Sequence, residues 1–189
     1  MQVVVILTPF KKRSRVKESR LKRALQTLTF LLAISSTMDP TWSDESVNCG
    51  VRALFPGQMS IAEALSHEIR TTKSKLLLSL YDFNNPALAD ELMKLAKRGV
   101  KVVIKIDTAK STGKKEGRLI KGLKTAGVNV QTVATDGRNH NKFAVIDDSK
   151  VITGSYNWTL KAESNLENLL ILDCPKLAKK YEKEWESIR

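Results

Sequence analysis

Beyond residue 48 the apolar positions fall into short blocks of two kinds, one repeating every second residue as in strands and one every three to four as in helices. Val51–Phe55 reads as a strand, ended by Pro56 and Gly57. Ser60-Ile61-Ala62-Glu63 has the spacing of a capping box, so a helix is expected through Ile69 to about Thr72. Lys75–Phe83, dense in leucine, is expected as a buried strand. Asn85 caps and Pro86 opens a second helix that Gly99 closes. Val100–Asp107 is a third strand. A basic loop, Lys110–Gly117, then leads to a helix ending at Ala126-Gly127, and Val128–Val133 forms a fourth strand. Asn141–Asp147 and Val151–Thr153 read as two strands joined by the turn Asp147-Asp148-Ser149-Lys150. Leu169–Asp173 is the last strand, and Pro175–Ile188 is a closing helix with Leu177, Tyr181, Trp185 and Ile188 on one face. This β-α-β-α-β order with short loops predicts an α/β fold with a mixed, largely parallel sheet flanked by helices. No internal repeat is present.

Residues 1–48 do not share the pattern. Lys11–Arg23 carries eight basic residues against Glu18, and Ala24–Ser36 is an apolar run that ends in small residues, Ala33 and Ser35 among them. That order matches a signal peptide with a long basic leader; an uncleaved anchor associating with a membrane through residues 24–36, or a basic amphipathic helix, are the other readings. No stretch reaches the ~20 apolar residues of a membrane-spanning helix. The expected organisation is therefore an N-terminal segment plus polar linker, 1–48, and one folded domain, 49–189. Location follows from the same segment: periplasmic, secreted or membrane-anchored, with a cytoplasmic protein as the alternative.

Charge narrows the class of partner. Lys and Arg number 32 against 20 Asp and Glu, a net charge of +12. Residues 49–189 keep 24 of the basic and 16 of the acidic side chains, so the domain is basic in its own right. Such a balance favours polyanions, nucleic acid or an acidic membrane surface. Cys49 and Cys174 are too few and too far apart in sequence for a zinc motif; export would permit them to pair, but two cysteines alone do not establish a disulfide. With only His67 and His140 in the chain, a histidine-rich metal centre is excluded.

Candidate chemistry gathers in residues 138–168. On a strand His140 and Lys142 point to the same side, whereas Asp147, an odd number of residues away, faces the other side or lies beyond the strand's end. Gly154 permits a sharp bend, after which Ser155 and Asn157 again share a side. An imidazole, an ammonium, a hydroxyl and a carboxamide without a carboxylate pair suit a phosphoryl centre: imidazole attacks phosphorus or moves a proton, and the others bind the oxygens. The plain alternative is a surface hairpin whose His140 and Lys142 are merely solvated.

His140, Lys142 and Asp147 form H-x-K-x4-D, followed by G-S-x-N at Gly154, Ser155 and Asn157 and by Glu167-Asn168. In these residues the chain resembles the phospholipase D superfamily, and from about residue 51 to 188 it looks like that superfamily's small single-motif bacterial endonucleases. The resemblance implies a metal-independent phosphodiesterase without a cofactor that works through a covalent phosphohistidine. It also implies a homodimer, because one motif supplies one histidine while the reaction needs a nucleophile and an acid. In the similar nucleases a glutamate after the G-S-x-N turn accepts a hydrogen bond from the histidine ring; Glu167 is the candidate here and Glu163 the fallback. Asp147 is expected as a structural member of the motif.

The resemblance leaves the substrate open. A nucleic-acid substrate is expected to meet Lys110, Lys114, Lys115, Arg118 and Arg138, with Tyr156 or Trp158 as base-stacking candidates, although Trp158 suits the core. A hydrolase of anionic phospholipids such as cardiolipin is the alternative. Asp82 and Asp107, at predicted strand ends, form a rival metal-binding pair, a position that more commonly caps a helix or binds loop backbone. Thr112-Gly113-Lys114 is not a P-loop, lacking the upstream glycine.

Overall fold

The computed structural model describes residues 48–57 and 60–189. The expectations placed on residues 1–36 and on the linker to 47 lie outside the described residues.

Seven strands form one sheet: β1 Gly50–Leu54, β2 Lys75–Leu80, β3 Lys101–Asp107, β4 Asn129–Val133, β5 Lys142–Ile146, β6 Lys150–Gly154 and β7 Leu169–Asp173. Four α-helices accompany them among the described residues: α1 Ile61–Thr71, α2 Pro86–Lys97, α3 Lys114–Thr125 and α4 Pro175–Ser187. The strand order is β1-β7-β6-β5-β2-β3-β4. The sheet is mixed as expected, but its parallel share is smaller than expected. Only β2 with β3 and β3 with β4 pair in parallel, while β1–β7, β7–β6, β6–β5 and β5–β2 are antiparallel. Parallel neighbours need a crossover, which α2 supplies between β2 and β3 and α3 between β3 and β4; β5 and β6 are joined by a tight hairpin.

That hairpin turns at Asp147 and Asp148, both left-handed with φ of 49° and 58°, and Ser149 N donates to Ile146 O at 3.0 Å. Two successive positive φ values match the twist of the flanking strands. The basic segment expected as a loop through Gly117 is helical from Lys114. Gly113 serves as N-cap and Glu116 lies in the first turn, where a carboxylate favours the helix dipole.

One core lies between the sheet and α1, α2 and α3, built on Leu76, Leu78, Ile104 and Ala144 of the strands and Leu65, Leu92 and Leu123 of the helices. The other face packs Leu77, Val103, Phe143 and Val145 against α4 through Ala178, Leu177, Tyr181 and Trp185. Buried Lys105 donates to Trp185 O at 2.8 Å and Ile188 O at 2.6 Å, holding the end of α4 to the sheet. Two long-range ties close the edges. Glu68 of α1, only 2% exposed, binds Arg52 of β1 at 2.5 Å and Lys150 of β6. Cys49 and Cys174 are joined by a disulfide spanning 125 residues. Ser60 caps α1 by accepting from Glu63 N at 3.2 Å, and the reciprocal carboxylate comes from Glu163, which accepts from Ser60 Oγ and Ala62 N at 3.0 Å each. Glu163 is thus engaged at the start of α1 rather than with His140.

Candidate active site

The site forms where β2 and β3 end and β5 begins. Lys142, first residue of β5, pairs with Leu80, last residue of β2. Residues 138–141 lead into β5 and are pinned by Asn139, itself buried: its N–H donates to Asp107 Oδ2 at 2.9 Å, and its Oδ1 accepts from Ser79 Oγ at 3.1 Å and Asn141 Nδ2 at 3.0 Å. This anchoring leaves the next side chain, His140, exposed beside Lys142. Lys142 Nζ lies 3.4 Å from each ring nitrogen of His140 and donates to His140 O at 2.9 Å. Burial pushes the Lys142 ammonium below the usual lysine range, while Glu167 and Asp82 pull it back up.

Ser155, Glu167 and Asn168 form the neighbouring cluster. Gly154 allows it, because a Cβ there would stand 2.3 Å from Asn168 O. Ser155 Oγ donates to Glu167 Oε2 and accepts from Asn168 N at 3.0 Å, while Asn165 Nδ2 donates to Glu167 Oε1 at 3.1 Å. Each oxygen of Glu167 is thereby engaged away from the imidazole, and the expected Glu167–His140 hydrogen bond is not among those formed between the described residues. Asn157 is partly buried, and its Oδ1 accepts no hydrogen bond from any described residue.

Asp147 lies just beyond the last residue of β5, Ile146, at the end of the strand away from His140. It accepts from Lys73 N at 2.9 Å, Ser74 N and Ser74 Oγ at 2.8 Å each, and Lys75 N at 3.1 Å. Partial burial pushes its carboxyl upward, but these donors outweigh burial and hold it below the usual carboxylate range.

The expected substrate residues separate into groups. Lys110 lies 3.4 Å from Asp82 Oδ2 and 5.1 Å from the centre of the Tyr81 ring, and Arg138 Nη1 donates to Tyr81 Oη at 2.6 Å. Lys115 and Arg118 line an open groove of about 590 Å³ with Lys161, Pro86, Leu119 and Leu160. Lys114 is exposed at the first position of α3. Tyr156 and Trp158 are 0% and 1% exposed, so neither ring presents a face for stacking. Tyr156 Oη donates to Glu163 Oε1 at 2.5 Å, and burial with that neighbouring carboxylate pushes its phenol far up.

The rival aspartates serve other ends. Asp107 is buried and spends Oδ1 on Ala109 N at 3.0 Å and Oδ2 on Asn139 N, while Asp82 faces Lys110. Among the described residues no three His, Cys, Asp or Glu side chains are grouped as metal ligands.

Sequence reasoning missed Tyr81 and Asn139. Tyr81 follows directly on the leucine run of β2, at a strand end where ligands collect in α/β sheets. Its ring lies 4.5 Å from that of His140. Asn139 had no signal beyond being a polar residue beside the motif.

A sheet that sets the H-x-K pair at the start of a central strand, with the G-S-x-N turn leaving the strand beside it, marks a protein of the phospholipase D class. Residues 65–189 match the family described as cardiolipin synthase, PLD-like domain, and the chain belongs to this phospholipase D-like family. It is similar to the mitochondrial cardiolipin hydrolase of Xenopus laevis, 36% identical over 135 residues, which cover 71% of this chain and 63% of that protein. A phospholipase D of Rickettsia prowazekii is 30% identical over 138 residues, covering 72% of this chain and 66% of that protein. The chain thus spans a little under two thirds of the relatives' length. Among solved structures, Nuc from Salmonella typhimurium, a phospholipase D family member, superposes with a TM-score of 0.71 at 26% identity, covering 75% of this chain and 94% of that one.

Proposed function

We propose that this protein hydrolyses phosphodiesters without a metal ion, using His140 as nucleophile, and that it acts as an endonuclease on nucleic-acid strands with little sequence preference. The observation that carries the reading is the His140–Lys142 pair, with its imidazole exposed and an ammonium 3.4 Å from both ring nitrogens. The ring nitrogens face the Lys142 ammonium and no carboxylate of the described chain, and when that ammonium turns to a phosphoryl oxygen a ring lone pair is left for phosphorus. The partly buried ammonium is poorly screened and stabilises charge on a non-bridging oxygen.

In the first step a ring nitrogen of His140 bonds to phosphorus as the bond to the leaving oxygen breaks, and that oxygen takes a proton from a second imidazole. Water then attacks phosphorus, the P–N bond breaks, and the second imidazole accepts the water's proton. His67 sits on α1 and not at this site, so the second imidazole is that of another copy of the chain, and the working form is a homodimer. Asn157 and Ser155 assist at the phosphoryl oxygens, and Glu167 orients Ser155. The net charge of +12 and the presence of Lys110 and Arg138 beside the pair support a strand of phosphates as substrate.

A specific observation favours a second reading, an anionic phospholipid such as cardiolipin. The groove at α3 has an apolar floor of Pro86, Leu119 and Leu160 with a rim of Lys115, Arg118 and Lys161, which suits an acyl chain beneath a phosphate. The names of the relatives agree with it, and residues 24–36 would then serve as anchor. The Cys49–Cys174 disulfide supports export or anchoring towards an oxidising compartment in either case.

The test incubates the full chain with single-stranded DNA, duplex DNA, RNA and cardiolipin vesicles in excess EDTA, beside His140→Ala. Nucleic-acid cleavage that persists in EDTA and falls by roughly 10³-fold or more in the variant is the expected result. Activity lost to EDTA would overturn the histidine mechanism, and turnover of lipid alone would establish the second reading.

A further inference from the structure

Tyr81 is the meeting point of charges from two segments distant from it in sequence, Lys110 after β3 and the run from Arg138 to Lys142 that opens β5. Around its ring stand Lys110 Nζ at 5.1 Å, Lys142 Nζ at 5.2 Å and the Arg138 guanidinium carbon at 5.9 Å, with the His140 ring at 4.5 Å. Each cation stands over the ring within about 6 Å of its centre, where the negative face of the π system attracts it, and Arg138 is further fixed by its bond to Tyr81 Oη. Grouping like charges is unfavourable; Asp82 pairs with Lys110 and, with Glu167, acts on Lys142, whereas Arg138 has no ion pair with a carboxylate among the described residues. A single phosphodiester carries one negative charge, which Lys142 beside His140 already meets. Lys110 and Arg138 are therefore surplus to one phosphodiester, yet they are held at the same ring.

We propose that Lys110 and Arg138, organised by Tyr81, form a second anion subsite that binds the phosphate adjacent to the one being cleaved. This rests on the nuclease reading and deepens it: the substrate must present two neighbouring phosphodiesters, as any strand does. Tyr81 is a positioning residue here. Its hydroxyl occupies one guanidinium N–H and leaves the remaining donors of Arg138 for a phosphate oxygen. Its ring draws the Lys110 ammonium towards the site in competition with Asp82.

The test measures steady-state cleavage by the full chain of two forms of trithymidylate, one with both linkages charged and one with a single linkage replaced by a neutral methylphosphonate. The parent is expected to show a KM about tenfold higher for the half-neutral substrate, the effect of one charge-assisted contact, with kcat within about twofold. Tyr81→Leu and Arg138→Ala are expected to bring the two KM values together. Tyr81→Phe, which keeps the ring and loses only the hydroxyl, falls between. Equal KM values for the parent, or a tenfold difference surviving in Tyr81→Leu, would overturn the subsite while leaving the nuclease reading intact.

If neither form is cut, the nuclease reading fails, and fluorescence anisotropy with the same two ligands still reads the subsite: equal affinities overturn it and a tenfold preference supports it. Faster turnover of cardiolipin than of phosphatidylglycerol vesicles, with no cleavage or binding preference on trithymidylate, would overturn the strand assignment in favour of a lipid bearing two phosphates.

Discussion

Replacing Asp147 by Asn separates the structural from the chemical part of the H-x-K-x4-D motif. Asparagine tolerates the left-handed backbone at this position, φ 49°, so the change acts on the carboxylate alone. Oδ1 accepts from Ser74 N, Ser74 Oγ and Lys75 N, and Oδ2 accepts from Lys73 N. In the variant the first three contacts persist without the charge, while an amide N–H2 faces the Lys73 N–H and loses that bond. One lost and three weakened charge-assisted bonds at a half-exposed site amount to about 2–4 kcal/mol. Asp147 lies five residues along the chain from Lys142, roughly 17 Å at strand spacing, so the chemistry is untouched. Urea denaturation read by circular dichroism is expected to show the stability loss, and kcat in the absence of urea is expected to stay within about twofold.

The sign with pH is determined. A carboxyl held below its ordinary range stabilises the fold above that range and loses the contribution as pH falls through its lowered pKa, so the gap between parent and variant closes on acidification. A kcat reduced 100-fold or more with an unchanged denaturation midpoint would refute the structural assignment and place Asp147 in the chemistry.

Two further perturbations test how the site is framed. Gly154→Ala drives a Cβ to 2.3 Å from Asn168 O, so β6 and β7 must part where Ser155 meets Glu167; a loss of about 1–3 kcal/mol by thermal denaturation and at least a tenfold fall in kcat are expected. Glu68→Gln leaves Arg52 and Lys150 facing a neutral amide, and because Arg52 is 52% exposed the loss is about 2–3 kcal/mol, at the low end for a broken buried pair. Burial raises the Glu68 carboxyl but its two cations lower it further, so this loss too shrinks as pH falls through the lowered pKa; a loss independent of pH would contradict the ion-pair account.

The element boundaries were legible because they depend on neighbours in sequence. Asn85 accepts from Ala87 N at 3.0 Å as the cap it was expected to be, and Leu169–Asp173 is a strand over the expected residues. The helical start at Lys114 was not legible, since glycine at an N-cap opens a helix as readily as it prolongs a loop. The capping box at Ser60 was visible, but its carboxylate partner, Glu163, is 103 residues away. Trp158 lies in the core, as suited it, and Tyr156 joins it there; aromatic residues read alike on surface and in core, and only the packing over them decides.

The sequence alone determined the nearness of His140 to Lys142 and the separation of Asp147 from them, because extended chain rises about 3.3 Å per residue and five such steps part Lys142 from Asp147. It likewise determined the family, through residues whose spacing along the chain is itself the signal. Only the tertiary structure decided that β5 enters antiparallel beside β2, which sets Tyr81 against His140 and draws Lys110 and Arg138 to the same ring while leaving Lys115 and Arg118 in another groove. Strand order follows from how the apolar faces of distant segments pack together, and no window of sequence contains both partners of such a contact.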